Sequence, residues 1–241
     1  MTPGTPLGTP RPRLDGDLLR APRRGLLVAG LLLLGVALLS VPLAVDRSAP
    51  PLLHGIDAWW RDLVRPPSSL PESASEVLKV LGSGVVMIPL RIGVAVWLLA
   101  RRRYVDLTAW LLAWAVADLL TFAMKPTIAR MRPDLSHASS FPSAHAKTAA
   151  QVAVGLVLVA TSPWRSRTLP WALAVAWIVA MGVSRTVLDE HFWSDVVAGS
   201  MLGAGCAVGV AALAQRWRDR RGSGAATADA PGYDSERDSR K

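Results

Sequence analysis

The chain has 241 residues, 51% of them apolar, and a formal net charge of +9 at pH 7. A mean hydropathy of +0.31 and ten tryptophans are not the composition of a soluble enzyme. The arginines form short clusters at the ends of apolar runs, so the positive charge indicates orientation in a membrane and not a nucleic-acid partner. The single cysteine, Cys206, excludes an intrachain disulfide and a thiolate zinc site.

Six apolar stretches approach the roughly 20 residues that a helix needs to cross a bilayer of about 30 Å. The predicted spans are residues 25–45, 77–100, 107–124, 143–161, 168–188 and 194–215. They predict an all-α integral membrane protein, with a six-transmembrane-helix bundle over residues 25–218. The first stretch resembles a signal peptide in its basic flank, but its apolar run is longer than usual and no small-x-small cleavage site follows. It is therefore interpreted as a membrane anchor.

The two ends of the chain, residues 1–24 and 219–241, are polar or rich in Pro and Gly and are predicted to be disordered. Basic clusters lie at alternate ends of the spans, and the positive-inside rule then puts both termini in the cytoplasm. The clusters are Arg20, Arg23 and Arg24; Arg101, Arg102 and Arg103; Arg165 and Arg167; and Arg216, Arg218, Arg220 and Arg221. The loops 46–76, 125–142 and 189–193 are therefore predicted on the extracytoplasmic side of a multi-pass plasma-membrane protein.

Polar chemistry is concentrated in the second and third of these loops. Lys125, Arg130 and Arg132 lie there against the charge rule, so they need a reason other than topology. Three ordered motifs contain most of the polar residues: Lys125-x6-Arg132-Pro133, Pro142-Ser143-Ala144-His145 and Ser184-Arg185-x5-His191-x3-Asp195. All three are predicted on one face of the membrane.

The residue types in these motifs point to phosphate. Pro142 suits the first position of a helix. The free backbone N–H groups at a helix start, together with the positive end of the helix dipole, form an anion site. Lys125, Arg132 and Arg185 supply three cations for the oxygens of a transferring phosphoryl group. The other expected donors are the backbone N–H groups of Ser143, Ala144 and His145 and the Ser143 hydroxyl.

Two histidines fit acid–base and nucleophilic roles. His191 and Asp195 are four residues apart, so on the last helix they are expected to share a face, with the carboxylate holding the Nδ1 proton. That arrangement leaves Nε2 free as a nucleophile. His145 is then available to protonate the leaving oxygen and to deprotonate the attacking water. The three cations do the work of magnesium, so no metal site is predicted.

The three motifs resemble those of the type 2 phosphatidic acid phosphatase superfamily, which also includes vanadium haloperoxidases and glucose-6-phosphatase. Its signatures are Lys-x6-Arg-Pro, Pro-Ser-Gly-His and Ser-Arg-x5-His-x3-Asp, and the resemblance covers about residues 77–218. It implies cofactor-free hydrolysis of a lipid phosphate or pyrophosphate, such as a polyprenyl pyrophosphate or phosphatidic acid. The implied roles are nucleophile for His191, orienting residue for Asp195, acid–base group for His145, and phosphate ligands for Lys125, Arg132, Ser143, Ala144 and Arg185.

One position departs from the family pattern. Ala144 replaces the glycine of Pro-Ser-Gly-His. Alanine keeps the backbone N–H and suits a helix start, so activity is expected to survive, although a dihedral angle that only glycine adopts easily would be strained there. Asp189 and Glu190, beside the predicted nucleophile, add negative charge near the anion site, and the sequence leaves two roles open for them: tuning the choice of head group or raising the histidine pKa.

Other classes of protein remain as alternatives. A non-catalytic membrane protein that binds anionic lipid head groups would use the same cations, but it has no need of His191 as a positioned nucleophile. A transporter is disfavoured because the chain has no paired repeats and no broken helices are expected at mid-membrane. The expected partners are a lipid phosphate substrate and membrane lipids, without nucleic acid, and a homo-oligomer is left open.

Two further expectations concern structure. Arg91 and Asp118 lie well inside spans two and three at similar depth, and a lone charge there costs about 2.5–3.5 kcal/mol, so they are predicted to pair. Trp59 and Trp60 are expected on an amphipathic segment at the outer membrane interface.

Overall fold

The computed structural model describes residues 22–46, 51–64, 72–159 and 168–228. Within these ranges the chain is helical, joined by turns and loops, and contains no strand, as the all-α prediction requires. The helices are α1 (Pro22–Val45), α2 (Pro51–Val64), α3 (Glu72–Leu81), α4 (Gly84–Ala100), α5 (Tyr104–Ile128), α6 (Ala144–Val159), α7 (Thr168–Val187) and α8 (Trp193–Ala228). Outside the described residues lie most of the predicted N-terminal tail, the Arg165 and Arg167 cluster, the last two residues of the predicted span 143–161, and residues 229–241.

Four helices are long and apolar enough to cross a membrane: α1, α5, α7 and the Trp193–Arg221 part of α8. A fifth candidate consists of α3 and α4, which meet at a bend of 41°. The sequence predicted one continuous helix there, but Gly82 lies in the break and Gly84 begins α4, and glycine is a poor helix former. Helix α6 has 16 residues, short of the roughly 20 that a span needs. The described chain therefore has four or five candidate spans, and six remains a prediction.

The cytoplasmic boundary predicted at residue 218 falls inside a helix. Helix α8 continues to Ala228, so the first residues of the expected C-terminal tail are helical. Near this point Arg218 Nη2 donates to Asp106 Oδ1 at 2.6 Å, and Asp106 also binds Arg103 at 2.8 Å. These ion pairs link the far end of α8 to the start of α5.

Helices α6 and α8 pack with their backbones in contact. A Cβ atom added to Gly199 would lie 2.4 Å from the carbonyl oxygen of Ser143, and one added to Gly203 would lie 2.1 Å from that of Lys147. Small residues spaced by four positions are a common means of close helix contact in membranes. This packing brings the start of α6 against the start of α8, where the Ser143 N–H donates to the Asp195 carbonyl at 3.0 Å.

The amphipathic segment predicted around Trp59 and Trp60 is helix α2. Trp60 stacks on Trp193 at a ring separation of 4.0 Å and donates through Nε1 to Thr186 Oγ1 at 2.9 Å. Trp59 is exposed. Helix α2 is thereby fixed against the end of α7 and the start of α8.

The predicted contact between Arg91 and Asp118 is confirmed, with Arg91 Nη1 3.2 Å from Asp118 Oδ2. Helix α6 adds partners that the sequence did not suggest: Arg91 Nη2 donates to Gln151 Oε1 at 2.7 Å, and Lys147 pairs with the other oxygen of Asp118. Two buried cations therefore share one carboxylate between α4, α5 and α6.

Candidate active site

The predicted site residues come from helix ends that alternate along the chain. Lys125 lies in the last turn of α5 and Arg185 in the last turn of α7, while His145 and Asp195 lie in the first turns of α6 and α8. Because successive helices run in opposite directions, these ends meet at one end of the bundle. His145 lies within electrostatic range of His191 and Arg185. Arg132 lies within the same range of Lys125 and Arg185, so the structure brings the predicted residues into one region.

The pairing of His191 with Asp195 differs from the expectation of a shared helix face. Helix α8 begins at Trp193, so His191 precedes it. His191 Nδ1 is 3.8 Å from Asp195 Oδ2, beyond a hydrogen bond. Ser140 lies between them, with its Oγ 3.4 Å from His191 Nδ1 and in a short hydrogen bond to Asp195 Oδ2. Ser140 therefore links the two groups that the sequence predicted in direct contact.

Asp195 is fully buried, and a cation that the sequence left unassigned neutralises it. Arg130 Nη1 donates to Asp195 Oδ1 and to Ser194 Oγ, each at 2.7 Å, and Arg130 Nη2 donates to Asp57 Oδ2 at 2.7 Å. The Phe192 ring packs 4.0 Å from the guanidinium. A buried carboxylate is tolerated only when it is paired and hydrogen-bonded, and Arg130 meets that condition for two carboxylates at once.

Asp57 connects this network to α2. Its Oδ1 accepts from the backbone N–H of Ser194 at 2.8 Å and its Oδ2 from the Ser194 hydroxyl at 2.8 Å. An acceptor at the first turn of α8 satisfies a donor that has no partner within the helix. The signal available in the sequence was the position of Arg130 against the positive-inside rule. Nothing comparable marked Asp57 or Ser140.

The start of α6 offers fewer free donors than expected. The Ser143 N–H donates to the Asp195 carbonyl, so this donor already has a protein acceptor, and phosphate binding by Ser143 stays a prediction. Ser143 Oγ accepts from the Ala146 N–H at 3.5 Å, as a helix cap does. The N–H groups of Ala144 and His145 lie in the first turn, where a helix provides no acceptor.

Alanine fits in place of the family glycine. Ala144 is the first residue of α6 and is absent from the described non-glycine residues with positive φ, which are Arg102, Ala129, Leu135 and Asp189. The backbone there is one that any L-residue adopts. The replacement therefore introduces no dihedral strain and keeps the N–H group.

Lys125 and Arg132, two of the three cations predicted to bind phosphate, differ in their hydrogen-bond partners. Lys125 Nζ donates to the Ser139 carbonyl at 2.6 Å. Arg132 Nε is buried and has no hydrogen-bond partner among the described residues. A buried guanidinium donor without an acceptor is costly, so this nitrogen fits an anionic ligand.

The third cation, Arg185, is fully buried and bound to a carboxylate. Its Nη1 is 2.9 Å from Glu190 Oε2, and its Nη2 donates to the Ser75 carbonyl at 3.2 Å. Lys79 Nζ, which no motif contains, is 2.6 Å from Glu190 Oε1. Burial opposes ionisation of Glu190, but the hydrogen bond from Lys79 and the charge of Arg185 outweigh it and hold the pKa of this carboxyl below its ordinary value. Glu190 thus joins two cations at the edge of the site.

Together these elements define a class: a helical membrane protein in which one end of the bundle gathers two histidines and several cations around a place for an anion. Comparison with known proteins narrows the class. Residues 106–219 match the model of the PAP2 superfamily. This match covers just under half of the chain, and it confirms the resemblance predicted from the three motifs.

The similar proteins include phosphatases of Bacillus subtilis. Phosphatidylglycerophosphatase B of Bacillus subtilis (strain 168) is 33% identical over 132 residues, which are 51% of this chain and 65% of that relative, just under two thirds of its length. The crystal structure of the first transmembrane PAP2 type phosphatidylglycerolphosphate phosphatase, also from Bacillus subtilis, superposes with a TM-score of 0.60 at 24% identity, covering 78% of this chain and 96% of that one. Aquifex aeolicus LpxE gives 0.51 at 22% identity, covering 63% and 91%. These two structures show that the fold is shared.

Proposed function

We propose that the protein hydrolyses a lipid phosphate or pyrophosphate monoester through a phosphohistidine at His191, without a metal or other cofactor. The observation that carries the proposal is the meeting of His145 and His191 with Arg185 and Arg132, whose Nε is a buried donor without a protein partner. The names of the similar proteins, a phosphatidylglycerophosphatase above all, support a lipid phosphate as the substrate class.

In the first step His191 Nε2 attacks phosphorus and the bond from phosphorus to the ester oxygen breaks. His145 donates a proton to that oxygen, so the lipid leaves as a neutral alcohol. Ser140 donates to Asp195 and accepts from His191 Nδ1–H, which keeps the Nδ1 proton in place and Nε2 free for attack.

In the second step water attacks the phosphohistidine. His145, now neutral, takes a proton from the water, the bond from phosphorus to Nε2 breaks, and inorganic phosphate is released. Lys125, Arg132 and Arg185 stabilise the negative charge on the equatorial oxygens in both steps, in the role that metal ions have in many phosphoryl-transfer enzymes.

The decisive test is phosphate release by the purified protein and by His191→Ala. We expect the variant to lose at least about 10³-fold in kcat, because a nucleophile acts in both steps. His54→Ala is the matched control, since His54 is an exposed histidine on α2 outside the motifs, and it should retain wild-type activity. Equal rates for wild type and His191→Ala would end the enzyme proposal and leave a protein that binds anionic lipid head groups.

We also propose the membrane arrangement. Six spans follow if α3 and α4 form one bent span and α6 a short one, with both termini in the cytoplasm of a plasma-membrane protein and the site on the extracytoplasmic face. The alternating arginine clusters support this orientation. In a Cys206→Ala background, a cysteine at Ser136 should react with an impermeant maleimide on intact cells and one at Ser223 only after lysis; the reverse pattern would invert the topology.

A further inference from the structure

A cavity of about 240 Å³ lies directly beside His145. One wall is the break between α3 and α4, and the opposite wall comes from α5 and α6. The residues used below are Gly82, Ile88, Asp118, His145 and Thr148. Gly82 lets the chain approach closely, since a Cβ added there would lie 3.2 Å from His145 Cδ2 and 2.6 Å from Met181 Cε. The cavity therefore begins at the imidazole and extends away from it toward Asp118.

The far end of the cavity is polar although it lies among apolar helices. The Asp118 side chain is 43% exposed, while its partners Arg91 and Lys147 are only 5% and 4% exposed. Helix α5 is long and apolar enough to cross a membrane, and a carboxylate exposed to hydrocarbon on such a helix is costly. Asp118 lines the cavity, so the cavity is suited to a polar occupant.

Thr148 adds a donor to this lining. Its Oγ1 accepts from Arg91 Nη2 at 3.4 Å, and the hydroxyl can donate its own hydrogen to a group in the cavity. Asp118 offers acceptor oxygens beside it. A donor and an acceptor side by side match a hydroxyl group, which is both.

The cavity also has an apolar side. Ile88 lines it and is 47% exposed on α4, one turn from the exposed Val85. A ligand that places a hydroxyl near Thr148 therefore has an apolar route outward past α4, as a lipid with acyl chains requires.

We propose that this cavity binds the alcohol part of the substrate and that Thr148 and Asp118 hydrogen-bond a free hydroxyl on that alcohol. The inference rests on the proposed function, because His145 must protonate the leaving oxygen and the alcohol must then lie on the His145 side of phosphorus. The substrate class is a phosphate monoester of a glycerol-type alcohol with a second hydroxyl close to the ester. A polyprenyl alcohol has no second hydroxyl, because its single hydroxyl carries the phosphate.

The test uses two substrates that differ in one hydroxyl: a 1-acylglycerol 3-phosphate and its 2-deoxy analogue, with the same acyl chain. For the full-length protein in detergent we expect kcat/KM to favour the hydroxylated substrate by about tenfold. Thr148→Val should bring this ratio close to one, and Thr148→Ser should keep it. Thr108→Val is the control, because Thr108 is a threonine of α5 that donates to the Tyr104 carbonyl and does not line the cavity.

Each outcome decides something. Hydrolysis of both substrates at equal kcat/KM by the wild type, or an unchanged ratio in Thr148→Val, overturns the assignment of the cavity and leaves the phosphatase proposal standing. Phosphate release from neither substrate, nor from any other lipid phosphate, overturns the proposed function itself. Equal melting temperatures of the Thr148 variants and the wild type verify that a lost preference is not lost folding.

Narrowing the cavity gives a second measurement. Ile88→Trp should lower kcat/KM for the acylated substrates by about tenfold and affect para-nitrophenyl phosphate, whose alcohol is small, much less. Ile92→Trp, one turn further along α4 at a similarly exposed position outside the cavity, is the matched control. An equal effect of both tryptophans would count against the cavity as the alcohol site.

Discussion

Ser140 is the residue whose position most changes the expected chemistry. The His191 to Asp195 spacing suggested a direct pair, but Asp195 Oδ2 is closer to Ser140 Oγ and to the Phe192 N–H, the latter at 3.0 Å. The Ser140 hydroxyl therefore lies between the Asp195 carboxylate and the His191 imidazole. In the proposed mechanism this link orients the His191 ring, although the ring has no direct ionic contact with Asp195.

A substitution at this position tests the link. Ser140→Ala should lower kcat by about 10- to 100-fold with little change in KM, because it misorients the nucleophile without touching the phosphate cations. Steady-state kinetics on a lipid phosphate measures both constants. Ser139→Ala is the control, since Ser139 binds Lys125 through its backbone carbonyl, which the substitution keeps. An unaltered kcat in Ser140→Ala would show that His191 needs no support from Asp195 through this hydroxyl.

Glu190 gives a prediction about pH. The pKa of Glu190 lies below its ordinary value of 4.5 in the folded protein because Lys79 and Arg185 outweigh the effect of burial. A lowered carboxyl pKa stabilises the fold above the unfolded-state pKa, and this contribution is lost as the pH falls through the folded-state value. Acidification below about pH 4.5 should therefore destabilise the wild type more than Glu190→Gln.

The measurement is the melting temperature of both proteins between pH 3 and pH 7 in the same detergent. Glu76→Gln is the control, because Glu76 is exposed and lies 3.7 Å from Lys79. Its curve should follow that of the wild type. Parallel curves for wild type and Glu190→Gln would refute the claim that the Glu190 ion pairs stabilise the fold.

At the level of elements, the start of α6 and the start of α8 are held together by small residues. The Gly199 and Gly203 positions of α8 touch backbone atoms of α6, not flexible side chains. A rotamer change therefore cannot relieve a clash between these two helices. The geometry of the candidate site depends on this packing, because the Ser143 N–H donates to the Asp195 carbonyl across it.

Gly203→Ala tests the contact between the two helices. The added methyl group would lie 2.1 Å from the Lys147 carbonyl oxygen, so the helices must move apart. We expect a loss of about 1–3 kcal/mol in stability, typical of overpacking, and a fall in activity. Thermal unfolding in detergent measures the first. Gly93→Ala is the control, because a Cβ there meets no atom within 4 Å, and it should be neutral or stabilising. Similar melting temperatures for both variants would contradict the packing argument.

The same elements show what could be read from the sequence. The motif residues were found because each motif is local, with fixed spacing, and because hydropathy gives the order of the helices. The break between α3 and α4 and the start of α8 after His191 were missed, since hydropathy averages over local turns. Arg130, Ser140 and Asp57 were missed as partners because they contact residues 55 to 137 positions away, which no local pattern encodes.

At the scale of the whole molecule, two clusters of largely buried charge stand out among the described residues. One lies at the candidate site, and the other joins Arg91, Asp118 and Lys147 between the helices. The cavity beside His145 lies between them. The pair within the second cluster was predictable because both charges fall at similar depth in neighbouring spans, whereas Lys147 was hidden in an alanine-rich helix start.

The final prediction concerns metals and a phosphate analogue. In the proposed mechanism three protein cations bind the phosphate, so a chelator such as EDTA should leave the rate of phosphate release unchanged. Orthovanadate should inhibit at concentrations well below those at which inorganic phosphate inhibits. The reason is that vanadate adopts the five-coordinate geometry of the transition state, which the proposed site would stabilise.

Arg132→Gln should weaken vanadate inhibition by about 10- to 100-fold, since the Arg132 guanidinium holds the buried donor that lacks a partner among the described residues. Arg61→Gln is the control, because Arg61 lies outside the motifs and its guanidinium packs on the Phe192 ring. Vanadate should inhibit this variant as strongly as it inhibits the wild type. A strict requirement for magnesium, restored after EDTA treatment by added metal, would contradict the proposed mechanism, because it would give to an ion the work assigned to Lys125, Arg132 and Arg185.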